Sequence, residues 1–216
     1  MRPLFLTAML MLASPAMGGA WMREPGTGFL AFGPVYEETG RLTGSLYVEY
    51  GVRPNLTIGA KFDADMTLQQ IGNSTGFVFL RRPIKMDERP FKLAYEVGIG
   101  STFGAGNDLL LLTGLSYGRG ISVGSRNGWL AIDGAVEWSA GDTSTIAKLD
   151  TTLGLTLSDK FKVMMQVFHS QTDEASATTL APSVIWQPRP EKASYQLGIE
   201  AESGTLALKF GVWRSF

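Results

Sequence analysis

Long stretches of this chain alternate apolar residues with polar or small ones at every second position, and that period constrains the fold more than any other feature. From Leu56 the residues Leu56, Ile58, Ala60, Phe62 and Ala64 share one face, while Thr57, Gly59, Lys61, Asp63 and Asp65 share the other. Phe91, Leu93, Tyr95, Val97 and Ile99 repeat the pattern against Lys92, Ala94, Glu96, Gly98 and Gly100. Ala147 to Leu157 does so again, with Lys148, Asp150, Thr152, Gly154 and Thr156 on the polar side, and so does Leu206 to Val212. Successive side chains of a strand point to opposite faces, so each segment reads as a strand with one apolar side. A helix would scatter the same residues around its circumference.

Turn signals recur between these segments. Val52-Arg53-Pro54-Asn55, Pro83 to Pro90, Gly118 to Gly128, Ser158-Asp159-Lys160 and Pro188 to Glu191 form one set. Glu38 to Gly40, Gln69 to Ser74, Phe103 to Asn107, Ser139 to Thr145, Thr172 to Ser176 and Glu202 to Gly204 interleave with them. The strands between are expected at Thr27–Glu37, Arg41–Gly51, Leu56–Met66, Thr75–Arg82, Phe91–Thr102, Asp108–Gly118, Gly128–Trp138, Ala147–Leu157, Phe161–Ser170, Ala177–Gln187, Ala193–Ala201 and Thr205–Phe216. That makes about 12 strands, or about 10 if a weak pair fails, each of roughly the length that crosses a bilayer as a tilted strand. The fold class is therefore all-β: a transmembrane, antiparallel, up-and-down β-barrel.

Period two does not say which face points inward. A small soluble barrel has about 8 strands and an interior that side chains just fill. Here each strand carries more apolar residues than such an interior needs. The opposite face carries both signs of charge among Gly, Ser and Thr, which suits a lumen. Aromatic residues near strand ends (Tyr50, Phe77, Phe91, Tyr117, Trp129, Trp138, Phe161, Trp186, Tyr195 and Phe210) are placed where membrane–water girdles would lie. The apolar faces are assigned to lipid.

The N-terminus reads as an export signal. Arg2 precedes an apolar run from Leu4 to Met17, and Ala16, Gly18 and Ala20 provide an A-x-A-like cleavage zone. The run is short of the ~20 apolar residues that a membrane helix needs. Residues 1–20 are thus expected to be removed, after Gly18 or Ala20, leaving residues 21–216 as one barrel domain. Loss of Arg2 takes the net charge from −1 to −2, and no basic tract suits a nucleic acid. With no cysteine in the chain, disulfides do not hold it together.

At its end the chain meets a family feature. The final strand closes on Phe216, preceded at alternate positions by Val212, Phe210, Leu208 and Leu206. This resembles the C-terminal strand of Gram-negative outer-membrane β-barrel proteins, with Arg214 where that family often has an apolar or aromatic residue. The resemblance implies that Phe216 is an assembly signal read by the barrel-assembly machinery. It also implies an outer-membrane location, periplasmic termini and an even strand count. The outer loops are short for a porin, and none is long enough to fold into the lumen. The strand side chains alone are then expected to narrow it.

On the inward face the constriction candidates are Lys61, Asp63, Glu96, Asp133, Asp150, Gln166 and Lys209, with Lys61, Glu96, Asp133, Gln166 and Lys209 near mid-height. Arg41, Tyr47, Glu49, Asp65, Lys92, Glu137, Lys148 and Glu200 share that face, and simple hairpin registers set Glu137 against Lys148 and Gln196 against Lys209. Charges of both signs argue against strong ion selectivity. The leading reading is a passive, weakly selective pore for small hydrophilic solutes. A sealed structural barrel is the alternative. The third, a lipid-modifying hydrolase, would need His169 and a serine on one face, yet adjacent His169 and Ser170 point oppositely. The glycines of Gly98-x-Gly100 are expected to relieve crowding, and Asp63-x-Asp65 reads as a solvated rim before a cation site. No catalytic residue, metal site or cofactor is assigned. The expected partners are outer-membrane lipids, the assembly machinery and small solutes.

Overall fold

The computed structural model describes residues 19–66, 71–84, 89–104, 107–141, 144–189 and 191–216. Most of the leader at residues 1–18, and parts of the turns at Gln69–Ser74, Pro83–Pro90, Phe103–Asn107, Ser139–Thr145 and Pro188–Glu191, lie outside the described residues. Twelve antiparallel strands close into one barrel: β1 (Gly28–Glu37), β2 (Leu42–Arg53), β3 (Leu56–Met66), β4 (Ile71–Pro83), β5 (Phe91–Phe103), β6 (Leu109–Val123), β7 (Arg126–Ser139), β8 (Thr145–Thr156), β9 (Phe161–Gln171), β10 (Ser176–Trp186), β11 (Ser194–Glu202) and β12 (Thr205–Ser215). Each strand pairs with its neighbours in sequence, and β1 pairs with β12, Phe32 opposite Val212 and Val35 opposite Lys209. Gly28 and Phe216 exchange both backbone hydrogen bonds, at 2.6 and 3.0 Å, which carries the seam to the last residue.

Tight turns follow from local chemistry. Ser203 (φ 48°) and Gly204 (φ 89°) link β11 to β12 in the left-handed conformation at both central positions, as a two-residue hairpin whose twist matches its strands requires. The β6–β7 hairpin differs from expectation. Gly118 to Gly128 was predicted as a loop, but β6 continues to Val123 and β7 starts at Arg126. Its glycines lie in an exposed hairpin extension in place of the expected turn segment, with Ser122 paired to Asn127.

The two faces separate as the period predicted. Ile58, Val78, Leu80, Val97, Ile99, Leu111, Leu115, Leu149, Leu153, Leu197, Ile199 and Leu208 stand exposed on the outside, while Glu49, Thr57, Arg81, Glu137, Lys162, Ser183 and Gln196 are buried inside. An apolar belt around the whole circumference far exceeds the few hundred Å² that a water-soluble surface tolerates. The fold is that of a membrane-spanning β-barrel, whose closed hydrogen bonding leaves no strand edge in lipid. No helix among the described residues is long and apolar enough to cross a membrane.

Two expected girdle residues are inside. Phe77 is 4% and Trp129 2% exposed, and both pack in clusters within the barrel. Phe77 opens the run Phe77-Val78-Phe79-Leu80, apolar at every position, so alternation does not settle its face. Trp129 lies between Gly128 and Leu130, and its ring occupies the space over Gly154, where a Cβ would come within 2.1 Å of it. Gly98 and Gly100 do relieve crowding: a Cβ on Gly100 would lie 2.5 Å from the Phe77 ring.

The outward face is expected to be intolerant of charge. Leu149→Arg, placed at the middle of β8 on that face, should destabilise the barrel by about 2–4 kcal/mol. Reversible denaturant unfolding from lipid vesicles measures this.

Candidate functional site

The lumen is the only region where side chains of varied chemistry converge among the described residues, and it divides into two halves. At the rim away from the termini lies an open polar cavity of about 670 Å³, lined among others by Ser45, Asp63, Asp65, Thr75, Asp108, Phe168, Glu200 and Lys209. Lys209 donates to Glu200 at 2.7 Å, and its ammonium stands 4.7 Å from the centre of the Phe168 ring. Arg41 reaches Asp65 at 2.7 Å on the exposed edge of this vestibule. Asp65 is therefore engaged by a cation from its own protein. Among the described residues no group of three or more His, Cys, Asp or Glu side chains is arranged to hold a metal ion.

Below the vestibule the lumen narrows through two ion-pair clusters. In the first, Glu137 accepts from both Lys61 (3.1 Å) and Lys148 (2.8 Å), tying β3, β7 and β8 together across the interior. In the second, Arg81 is the hub. Its Nη1 donates to Glu49 at 2.6 Å, its Nη2 to Glu96 at 2.6 Å and to the Tyr47 hydroxyl at 2.8 Å, and the Tyr47 hydroxyl donates on to Glu49 at 2.7 Å. The guanidinium also lies 5.1 Å from the Phe79 ring centre. A planar five-donor fork can satisfy two carboxylates and a phenol at once, which a lysine cannot. Arg81 and Glu49 are almost wholly removed from solvent, and Glu96 is largely so.

Nearest the termini the lumen is occupied by the chain's own leading segment. Pro25 bridges Gly51, and Gly26 and Thr27 exchange backbone bonds with the same residue at 2.9 Å. A Cβ on Gly51 would lie 2.2 Å from the Glu24 carbonyl oxygen, so only glycine admits this approach. Arg23 then donates its backbone N–H to Thr57 Oγ1 at 3.2 Å and pairs through Nε with Glu49. Further in, Trp21 packs against a buried cluster of Trp129, Met164 and Ile185, with Trp213 beside it. The expectation that strand side chains alone narrow the lumen is corrected here. The segment from Trp21 carries no strand alternation of its own and lies between the expected leader and β1, so sequence shows no reason for it to enter the barrel.

All seven constriction candidates lie on strand positions of the inward face, but they do not form one ring. Lys61 joins Glu137 and Lys148, Glu96 joins Arg81, and Lys209 joins Glu200. Gln166 donates to Thr152 at 3.3 Å. Asp133 stands directly opposite Asp150 in register, and Asp63 lines the vestibule. The two hairpin registers are offset from those expected. Lys148 faces Ala135 and Lys209 faces Gly198, so the pairs to Glu137 and Glu200 run diagonally, while Gln196 donates to Ser183 at 3.0 Å. The β7–β8 and β11–β12 connections are of different length, and register follows the turn. Arg81 is the functional residue that sequence reasoning missed: Phe77-Val78-Phe79-Leu80 is apolar on both faces, which hides the parity of the arginine after it.

Solved structures of outer-membrane barrels share this architecture. KdgM porin superposes with a TM-score of 0.64 at 8% identity, covering 87% of this chain and 99% of KdgM. NanC porin gives 0.63 at 13% identity, over 85% of this chain and 98% of NanC. An outer membrane channel from Pseudomonas putida F1 gives 0.62 at 11% identity, over 93% and 99%. At these identities the likeness is one of fold: a porin-like outer-membrane β-barrel. No protein-family model matches the chain, and no curated protein matches it in sequence.

Removing the hub of the second cluster leaves Glu96 without a cation and Glu49 with Arg23 alone. Arg81→Ala should cost about 3–5 kcal/mol of stability. Arg81→Lys should recover only part of that in the same unfolding measurement.

Proposed function

We propose that the chain is a bacterial outer-membrane protein, exported with a cleaved leader, that serves as a passive, weakly selective pore for small hydrophilic solutes. The observation that carries this reading is the polar vestibule of about 670 Å³, which opens at one rim onto a lumen lined by paired charges of both signs. Mixed signs in balanced pairs hold solutes weakly and leave no strong barrier to either ion. The porin-like fold supports it further, and one such neighbour is described as a KdgM porin in complex with disordered oligogalacturonate. In this reading the termini lie on the periplasmic side, the vestibule faces outward, and Phe216 is presented to the assembly machinery as the end of β12.

A second reading, a sealed structural barrel, is favoured by the Trp21–Trp129–Ile185 packing that fills the half nearest the termini. Lipid hydrolysis is disfavoured by His169, whose Nδ1 is 2.8 Å from Thr178 Oγ1 on the next strand, and by the position of Ser170 on the opposite face. His169→Ala is expected to leave any lipid turnover unchanged in a phospholipid hydrolysis assay.

Ion conductance of the refolded mature protein in a planar bilayer decides between pore and seal. Discrete, reproducible current steps are expected, small in the intact protein and larger when Trp21 to Glu24 are deleted. Lys61→Glu should shift selectivity toward cations. A folded, heat-modifiable barrel that stays silent with and without the leading segment would overturn the pore.

A further inference from the structure

Asp133 is a lumen carboxylate that no lysine or arginine pairs with among the described residues, its only side-chain hydrogen bond being to Ser116. Asp133 on β7 faces inward, directly opposite Asp150 on β8, and its Oδ1 is buried without a hydrogen bond. Two carboxylates opposed on one face repel each other, and a buried carboxylate is costly without a cation. Apart from Lys162, which stands nearer the rim that carries the termini, the cations of the lumen are engaged elsewhere. Lys61 and Lys148 hold Glu137, Arg81 bridges Glu49 and Glu96, Arg23 pairs with Glu49, and Lys209 pairs with Glu200.

What does approach Asp133 is the start of the leading segment. A Cβ on Gly19 would lie 2.9 Å from Asp133 Oδ1 and 2.0 Å from Ser116 Oγ. Two residues along, the Trp21 ring covers Gly118, the next inward position after Ser116 on β6, where a Cβ would come within 2.3 Å of it. In the unprocessed chain this stretch is uncharged backbone. Leader removal changes that. Hydrolysis adds water across one peptide bond, leaving a carboxylate on the leader and a free ammonium on the barrel chain. The cleavage zone puts that ammonium on Gly19, beside Asp133 Oδ1, or two residues along on Trp21.

We infer that Asp133 is the docking site of the mature N-terminal ammonium, so that leader removal latches residues 21–27 into the lumen as a plug. The inference rests on the export reading, not on conduction. It assigns a role to Asp133, one of two opposed acids, with Asp150, for which no lysine or arginine ion pair is present among the described residues. It also explains the sequence of contacts along the segment: Pro25 at Gly51, Arg23 at Thr57 and Glu49, Trp21 at Gly118, and the ammonium at Asp133.

The test uses mature protein purified from the outer membrane of an expressing bacterium, with its first residue read from the intact mass. An ammonium held by a carboxylate has no lone pair to attack with. The α-amine of the folded barrel should therefore react with an acylating reagent at least about tenfold more slowly than that of the urea-unfolded chain. Asp133→Asn should raise the rate in the folded barrel toward the unfolded value, and Asp173→Asn, in the β9–β10 turn, should not change it. If Asp133→Asn fails to fold, Gly118→Val, which pushes against the Trp21 ring, should release the amine in its place. Equal rates in wild type and Asp133→Asn, fast acylation of the folded wild type, or an intact mass that keeps residues 1–18 would each overturn the inference. Acylation does not depend on current, so a silent bilayer would remove the pore and leave the docked terminus standing.

Discussion

Closure of β1 onto β12 is the contact on which everything else in this molecule depends. In a hydrocarbon surrounding there is no water to satisfy a free strand edge, and each unpaired N–H or C=O costs several kcal/mol. The seam runs from Tyr36 opposite Leu208 to the reciprocal bonds between Gly28 and Phe216, so no edge is left at the rim that carries the termini. Once the sheet is closed, period two leaves each residue only two destinations. Leu206, Leu208 and Phe210 go to lipid, and Ala207, Lys209 and Gly211 go to the lumen.

The inside is then a packing problem with charges in it. Twelve strands enclose more space than side chains of ordinary size fill evenly, and this chain fills it unevenly. One half keeps an open vestibule with ion pairs at Lys209–Glu200 and, on its edge, Arg41–Asp65. The other half is closed by Arg81 and its acidic partners, by aromatic rings set over glycines, and by the leading segment pressed against Gly51. The aromatic rings and the glycines belong together: Trp129 over Gly154 and Phe79 over Gly59 fit because the facing strand offers backbone and no side chain. Ion pairs of this kind add little net stability over apolar packing but make partial removal expensive, which suits a lumen whose geometry must not drift.

Much of the fold was legible because alternation is a local signal. Leu56–Met66 and Thr205–Phe216 were read almost to the residue, since each strand's faces differ sharply in polarity. The misplaced residues share one cause. Phe77 and Arg81 follow or sit within a run that is apolar on both faces, and Trp129 stands where a girdle and a lumen cluster want the same side chain. The ion pairs were legible by composition but not by register. Glu137 and Lys148 do meet, as diagonal neighbours, because the exact stagger depends on a turn that residue types did not specify.

The sequence by itself determined a count of about 12 strands, most of the lipid-facing sides, the all-antiparallel order and that Lys61, Glu96, Asp133, Glu137 and Lys148 share the interior. Those properties follow from nearest-neighbour periodicity and turn chemistry. Only the tertiary structure decided that Arg81 is the hub, that Asp133 and Asp150 face one another, and that Gly19 to Thr27 enter the barrel. These are contacts across the lumen, between residues far apart in the chain, and they exist only once closure brings opposite walls together.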